Sequence, residues 1–135
     1  MPSVQPDFES LRRHSRAVAR NAHVPYSGSR VGAAAQSESG EIFMGVNVEN
    51  ASFGLTLCAE AVLLGTRQVN AGGQLLAITA CLEDGTVLAP CGRCRQMLVE
   101  LAPAVLVDIG SSWVKVAELL PHHYLGTELV RSDEA

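Results

Sequence analysis

From Phe8 onward, small or apolar residues recur at alternating steps of three and four: Phe8, Leu11, Ser15, Val18 and Ala22. That spacing is the buried stripe of an amphipathic helix, and Asp7 stands where its N-cap belongs. Residues 23–28 (His-Val-Pro-Tyr-Ser-Gly) are rich in breakers, so the helix should stop there and a loop should lead into the first strand. Val31, Ala33 and Ala35 alternate, residues 37–40 (Ser-Glu-Ser-Gly) carry turn chemistry, and residues 42–46 read as a second strand. The two segments are expected to pair as an antiparallel hairpin, with a loop over 47–54.

Residues 59–69 are apolar around most of a helix circumference and close with Asn70-Ala71-Gly72-Gly73, which predicts a buried helix with a glycine stop. The unbroken apolar run 75–82 suits a central strand covered on both faces, turned by Glu83-Asp84-Gly85. A third helix is expected from near Pro90 to about Leu101. Another central strand follows at 105–109, then a short segment around Trp113 and a helical turn at 116–120. Strand, helix, strand, helix, strand in succession implies parallel crossovers. The fold class predicted is therefore α/β, a three-layer α/β/α sandwich on a mixed, mainly five-stranded sheet.

Composition narrows the function. The 135 residues are 47% hydrophobic and 18% charged, enough for one core, and residues 1–135 are read as a single domain without repeats. A net charge of −4 lacks the concentrated cation excess of polyanion binders, so no nucleic-acid partner is expected. Residues 1–10 carry no basic-then-apolar leader, and no stretch approaches the roughly 20 apolar residues that span a bilayer. A soluble, cytoplasmic protein without a membrane partner is expected. In a reducing compartment, the four cysteines Cys58, Cys81, Cys91 and Cys94 point to metal binding before disulfides.

Pro90-Cys91-Gly92-Arg93-Cys94 sets two thiols three residues apart at a helix start, where both reach one ion. Cys58 opens the preceding helix, and parallel crossovers gather such helix starts at one sheet edge, so a third sulfur can converge there. Unpaired amides and the helix dipole favour the ionised thiols. Three thiolates exceed the charge of one zinc ion by one, a surplus for those dipoles and Arg95 to offset. Cys81, in the middle of an apolar strand, reads as core filling. Three protein ligands, where a structural site has four, keep a position for water, whose pKa zinc lowers to about 7. Glu60, two residues after Cys58, is placed to take that water's proton and pass it to a leaving amine. Alone, a glutamate in a first turn would equally answer the dipole.

Cys58-Ala59-Glu60 followed by Pro90-Cys91-x-x-Cys94 is the pattern of zinc nucleoside and nucleobase deaminases. Together with residues 24–27 (Val-Pro-Tyr-Ser), 47–51 (Asn-Val-Glu-Asn-Ala), 90–96 and 119–121 (Leu-Leu-Pro), it makes most of the chain resemble the cytidine deaminase family, in its small homotetrameric branch. The resemblance implies one zinc ion per subunit. It also implies hydrolysis of cytidine and 2′-deoxycytidine to uridine and 2′-deoxyuridine with release of ammonia, a step of pyrimidine salvage. By the same resemblance, Asn47 and Glu49 bond the ribose hydroxyls of a small-molecule nucleoside, and the backbone around Ala59 and Cys91 contacts the pyrimidine. Ala51 and Phe53 line a neighbouring subunit's site, and Tyr124 covers the base from an adjacent chain, so the homotetramer shares its active sites. Asn47 and Glu49 also suit loop capping.

Two positions depart from the family. Its phenylalanine that stacks on the pyrimidine falls at Ser29, followed by Arg30; since such stacking contributes about 1–3 kcal/mol per base, base binding is expected to be weaker or differently supplied. The arginine many members carry after the catalytic glutamate is Ala61 here, leaving Arg95 to balance charge. These losses, with residues 58–66, also resemble the blasticidin S deaminases, against which Glu49 argues. A non-enzymatic, closed zinc module would need Cys81 or a histidine as fourth ligand, and polynucleotide editing is disfavoured by the acidic balance. His14, His23, His122 and His123 lie outside the ligand spacing and read as surface or packing residues, and Trp113 as edge or interface packing.

Overall fold

Asp7 fixes where the chain first becomes helical, its side chain accepting the Ser10 amide at 3.0 Å. The structure, a computed structural model, describes residues 4–131. Helix α1 runs Phe8–Val18 and tightens into a 3-10 turn at Ala19–Asn21. Strands β1 (Val31–Ser37) and β2 (Ile42–Val46) form the expected antiparallel hairpin, Gly32 opposite Val46 and Gln36 opposite Ile42. Helix α2 (Ala59–Val69), strand β3 (Leu75–Leu82), helix α3 (Gly92–Leu101), strands β4 (Leu106–Asp108) and β5 (Trp113–Lys115) and the single turn α4 (Val116–Leu119) complete the succession.

The sheet is mixed and five-stranded, in the order β2-β1-β3-β4-β5. The apolar run of β3 lies at its centre, antiparallel to β1 and parallel to β4. On one face Leu11 of α1 packs with Ala34 and Ala77; on the other Leu63, Leu64 and Leu98 of α2 and α3 close over Ile78 and Val107. That arrangement is the α/β/α sandwich. Both helical layers approach β1 and β2 closely because glycine stands at the contact: a Cβ on Gly32 would lie 2.0 Å from the Ser15 carbonyl oxygen, and one on Gly45 2.3 Å from that of Ala59.

Local differences from the sequence reading have local causes. Helix α3 begins at Gly92 and leaves Pro90 outside, because Cys91 is extended (φ −68°, ψ 168°) and acts as the N-cap. Strand β4 is shorter than 105–109, since the Val105 and Ile109 amides bond to the Ala102 and Ser112 carbonyls in flanking turns. The stop of α2 is a Schellman turn whose left-handed residue is Ala71 (φ 49°), with Gly72 N–H donating to the Arg67 carbonyl. Glycine is needed at Gly72 for space, as a Cβ there would meet the Phe43 ring at 2.5 Å. Helix α2 is not buried all round: Leu63 and Leu64 are buried, while Val69 is 86% exposed. Patterning did not anticipate the ion pair under α1, where Arg12 Nε and Nη2 donate to Asp108 at 2.7 and 2.8 Å and Thr79 adds a hydroxyl at 2.9 Å. No helix among the described residues is long and apolar enough to cross a membrane.

Candidate metal centre and active site

Strands β2 and β3 run in the same direction, both antiparallel to β1, so the helices that follow them start at the same sheet edge. Those starts are Cys58, the N-cap of α2, and Cys91, the N-cap of α3. Neither position holds the Ser, Thr, Asp or Asn that best caps a helix, and at the start of α3 the Arg93 and Cys94 amides face the Cys91 sulfur instead. Cys94, one turn into α3, completes the group, and the three sulfurs all lie within 4.8 Å of one another.

The donor set fits zinc. Tetrahedral coordination with zinc–sulfur distances of about 2.3 Å separates the sulfurs by about 3.8 Å, and Cys58 Sγ and Cys91 Sγ are 3.8 Å apart. Among the described residues, no fourth protein donor joins the three. Cys81 is buried on the opposite face of the sheet, its sulfur 3.0 Å from Ser15 Oγ, as its reading as core filling requires. A three-sulfur set with a free position is the coordination of a catalytic ion and not of a structural one.

Burial pushes the Cys58 thiol up, and Cys94 higher still, with the Glu60 charge adding to the effect on Cys94. Burial acts the same way on Cys91, but the Cys94 and Arg93 amides and the neighbouring thiols outweigh it and hold Cys91 below its ordinary value. A divalent cation at their centre would favour all three thiolates. Glu60, only 7% exposed, has its carboxyl pushed up by burial. It lines a cleft of about 210 Å³ together with Asn47, Thr56, Cys58, Ala59 and Cys91.

Other expected site residues fall into three groups. Asn47 lines this cleft, with its side chain also bridging the entry to β1: Nδ2 donates to the Ser29 carbonyl and Oδ1 accepts the Val31 amide, each at 2.9 Å. Glu49 lies in an adjoining cleft of about 310 Å³ with Tyr26, Ser27, Phe53 and Thr56, and Thr56 borders both clefts. Phe53, 73% exposed, meets Tyr26 edge to face at 5.9 Å between centroids. Away from both clefts, Ala51 is exposed, Tyr124 is 60% exposed with its hydroxyl donating to Glu128, and Ser29 lines a separate depression with Arg30 and Asp84. The Arg95 guanidinium donates to the Pro90 and Leu119 carbonyls at 2.8 and 3.0 Å, tying α4 to the start of α3.

Two further contacts were not legible in the sequence. Arg93 Nη1 donates to the Thr56 carbonyl at 3.2 Å and fastens the first turn of α3 to the segment ahead of Cys58. Ser27 donates its hydroxyl to Glu49 across 22 residues, and this bond, with the Ser27 and Tyr26 amides, holds the carboxyl below its ordinary value. Only the turn signal of residues 25–28 hinted at a polar role for Ser27.

Known proteins share much of this sequence and fold. Residues 6–108 match the family model for the cytidine and deoxycytidylate deaminase zinc-binding region. A cytidine deaminase of Mycobacterium tuberculosis is 43% identical over 122 residues, 90% of each chain. The crystal structure of cytidine deaminase from that organism superposes with a TM-score of 0.86 at 41% identity, covering 90% of this chain and 99% of the other. The crystal structure of the Mycobacterium leprae cytidine deaminase does so at 0.84 and 37%, covering 87% and 100%. With the sequence match and the shared fold both spanning most of its length, the chain belongs to the zinc-binding cytidine and deoxycytidylate deaminase family.

Proposed function

We propose that the protein is a zinc-dependent hydrolytic deaminase of cytidine and 2′-deoxycytidine, yielding uridine or 2′-deoxyuridine and ammonia. The observation that carries this reading is the convergence of three sulfurs with no fourth protein partner among the described residues, two of them, Cys58 and Cys91, lining a cleft with the buried Glu60 carboxyl. Cys58, Cys91 and Cys94 would hold one zinc ion per chain, which when bound supplies the Lewis acidity that makes water nucleophilic near neutral pH. Glu60 takes a proton from the water that adds to C4 of the pyrimidine and delivers it to N3, then moves the proton of the new C4 hydroxyl to the amine, which leaves as ammonia as the C4–N bond breaks and the C4 carbonyl forms. Its burial suits that shuttle, because a carboxyl shifted up toward neutrality both accepts and returns a proton.

Asn47 and Glu49 are the proposed sugar contacts. After its bond to Ser29, the Asn47 amide keeps one N–H, and Glu49 keeps one acceptor position after three bonds. Ala59 is the first residue of α2, so its N–H has no partner within the helix and is available to the base. Arg95 secures the turn carrying Cys91 and brings positive charge toward the thiolates. Large apolar residues left exposed in one chain, Phe53, Leu55 and Leu125 among them, support a homotetramer in which Ala51, Phe53 and Tyr124 serve a neighbour's site. Ser29 leaves stacking on the base to such neighbouring aromatics. Residues 1–135 are proposed to act as one catalytic domain in the cytoplasm, in pyrimidine salvage.

Ammonia release from cytidine, 2′-deoxycytidine, free cytosine and blasticidin S by protein of measured zinc content tests the reading. The two nucleosides should be deaminated well and the bare base poorly. Activity confined to blasticidin S, or absent from fully zinc-loaded protein, would overturn it.

A further inference from the structure

The Glu49 carboxylate does not face its cleft unassisted. Oε1 accepts the Tyr26 and Ser27 amides at 3.1 and 3.2 Å, and Oε2 accepts the Ser27 hydroxyl. The Ser27 oxygen is itself fixed from behind, taking the Ser29 amide at 3.0 Å. A serine in a turn ordinarily bonds its own backbone, and this one does, yet its proton goes to a carboxylate 22 residues away. An ionised carboxylate offers about four acceptor positions, of which these bonds fill three. The terminal torsion of a glutamate is broad, and the Ser27 hydroxyl on Oε2 adds a third restraint on it to the two amides on Oε1.

We propose that Ser27 is a positioning residue for sugar recognition, turning Glu49 so that its remaining acceptor position meets a nucleoside hydroxyl. The proposal rests on the reading of Glu49 as a sugar contact and adds the part that sets its orientation. Glu49 borders the cleft shared with Phe53 and Thr56, and Thr56 joins it to the cleft lined by Cys58, Cys91 and Glu60, so a nucleoside whose base reaches Glu60 carries its sugar toward Glu49. A site built around a hydroxyl discriminates strongly against the analogue that lacks it. Loss of Ser27 should therefore be felt only by substrates that bring a hydroxyl to Glu49.

The test compares Ser27→Ala, Glu49→Ala and the double variant on cytidine and on 2′,3′-dideoxycytidine, with zinc content and thermal stability measured alongside. Ser27→Ala should raise KM for cytidine about 3- to 10-fold, the size of one net hydrogen bond, with kcat changed less than about 2-fold. It should leave KM for the dideoxynucleoside unchanged and add nothing to the loss caused by Glu49→Ala. Ser27→Thr against Ser27→Val, two side chains of similar volume of which only one has a hydroxyl, repeats the comparison should the alanine variant fold poorly; threonine should keep the wild-type KM. If Glu49→Ala leaves KM for cytidine unchanged, the sugar reading of Glu49 fails and the proposal falls with it. If Glu49→Ala is impaired while Ser27→Ala is not, or Ser27→Ala harms both nucleosides equally, the positioning role alone is overturned.

Discussion

Asn47 answers two demands with one amide group. It closes the entry to β1 by accepting the Val31 N–H and donating to the Ser29 carbonyl, and it borders the cleft of the cysteines. Removing it takes a partner from the half-buried Val31 amide and from the exposed Ser29 carbonyl, and one net hydrogen bond contributes about 0.5–1.5 kcal/mol. Asn47→Ala is therefore expected to lower stability in urea by about 1–2 kcal/mol, one of these groups being partly solvated, and to raise KM for cytidine; a rise in KM at unchanged stability would show that the bridge to β1 contributes nothing. Both the structural and the sugar-binding expectations for this residue were open in the sequence; the structure shows the bridge to β1 and puts the residue on the cleft wall. The grouping of Cys58, Cys91 and Cys94 was legible because metal chemistry imposes short spacings, here three residues from Cys91, the N-cap of α3, to Cys94. Ser27 with Glu49, and Arg93 with Thr56, were not, since each pair meets only through folding across 22 and 37 residues.

Elements were easier to foresee than their ends. The stripe of α1, the apolar run of β3 and the antiparallel hairpin all follow from period and turn residues. The first residue of α3 did not, because a cysteine cap replaces the side chains that usually announce a helix start. Closeness of packing was also hidden, although it decides where Cys58 sits. Gly45 lets the start of α2 rest against β2, and a Cβ there would press on the backbone of Ala59 and Leu63 at 2.3 and 2.5 Å. Backbone cannot yield as a side-chain tip does, so Gly45→Ala should cost about 1–3 kcal/mol. By shifting α2, it should also weaken zinc retention in a chelator competition. A variant that keeps both stability and zinc would show that α2 can move without disturbing the three sulfurs.

Across the whole molecule, the two faces of the sheet carry different work. The α2 and α3 face holds the larger core and the cysteines, whereas the α1 face is clamped by Arg12 on Asp108. Burial alone would raise the Asp108 carboxyl, but the Arg12, Gly110 and Thr79 bonds outweigh it and hold the pKa below the ordinary value. A carboxyl lowered on folding contributes stability above its unfolded pKa of about 3.9, and that contribution disappears as pH falls through the lower native value. Urea titrations should therefore show wild-type stability declining below about pH 4. Asp108→Asn should be less stable at neutral pH by about 3 kcal/mol, the lower end for breaking a buried pair because Arg12 is partly solvated, and flatter in the acid range. An equal acid slope in both proteins would place the sensitivity elsewhere. Sequence pattern revealed the layers but not this clamp, since arginine in a helix and aspartate at a strand end are common singly.

In the proposed reaction, three sulfurs leave a reactive position open and Glu60 carries the protons. Ammonia release from cytidine by the wild type and by Glu60→Gln, each shown to hold one zinc ion per chain, tests it most directly. The account predicts that the glutamine variant keeps its zinc and loses at least about 100-fold in turnover. Near-normal turnover by that variant, or a purified wild type without stoichiometric zinc, would contradict it.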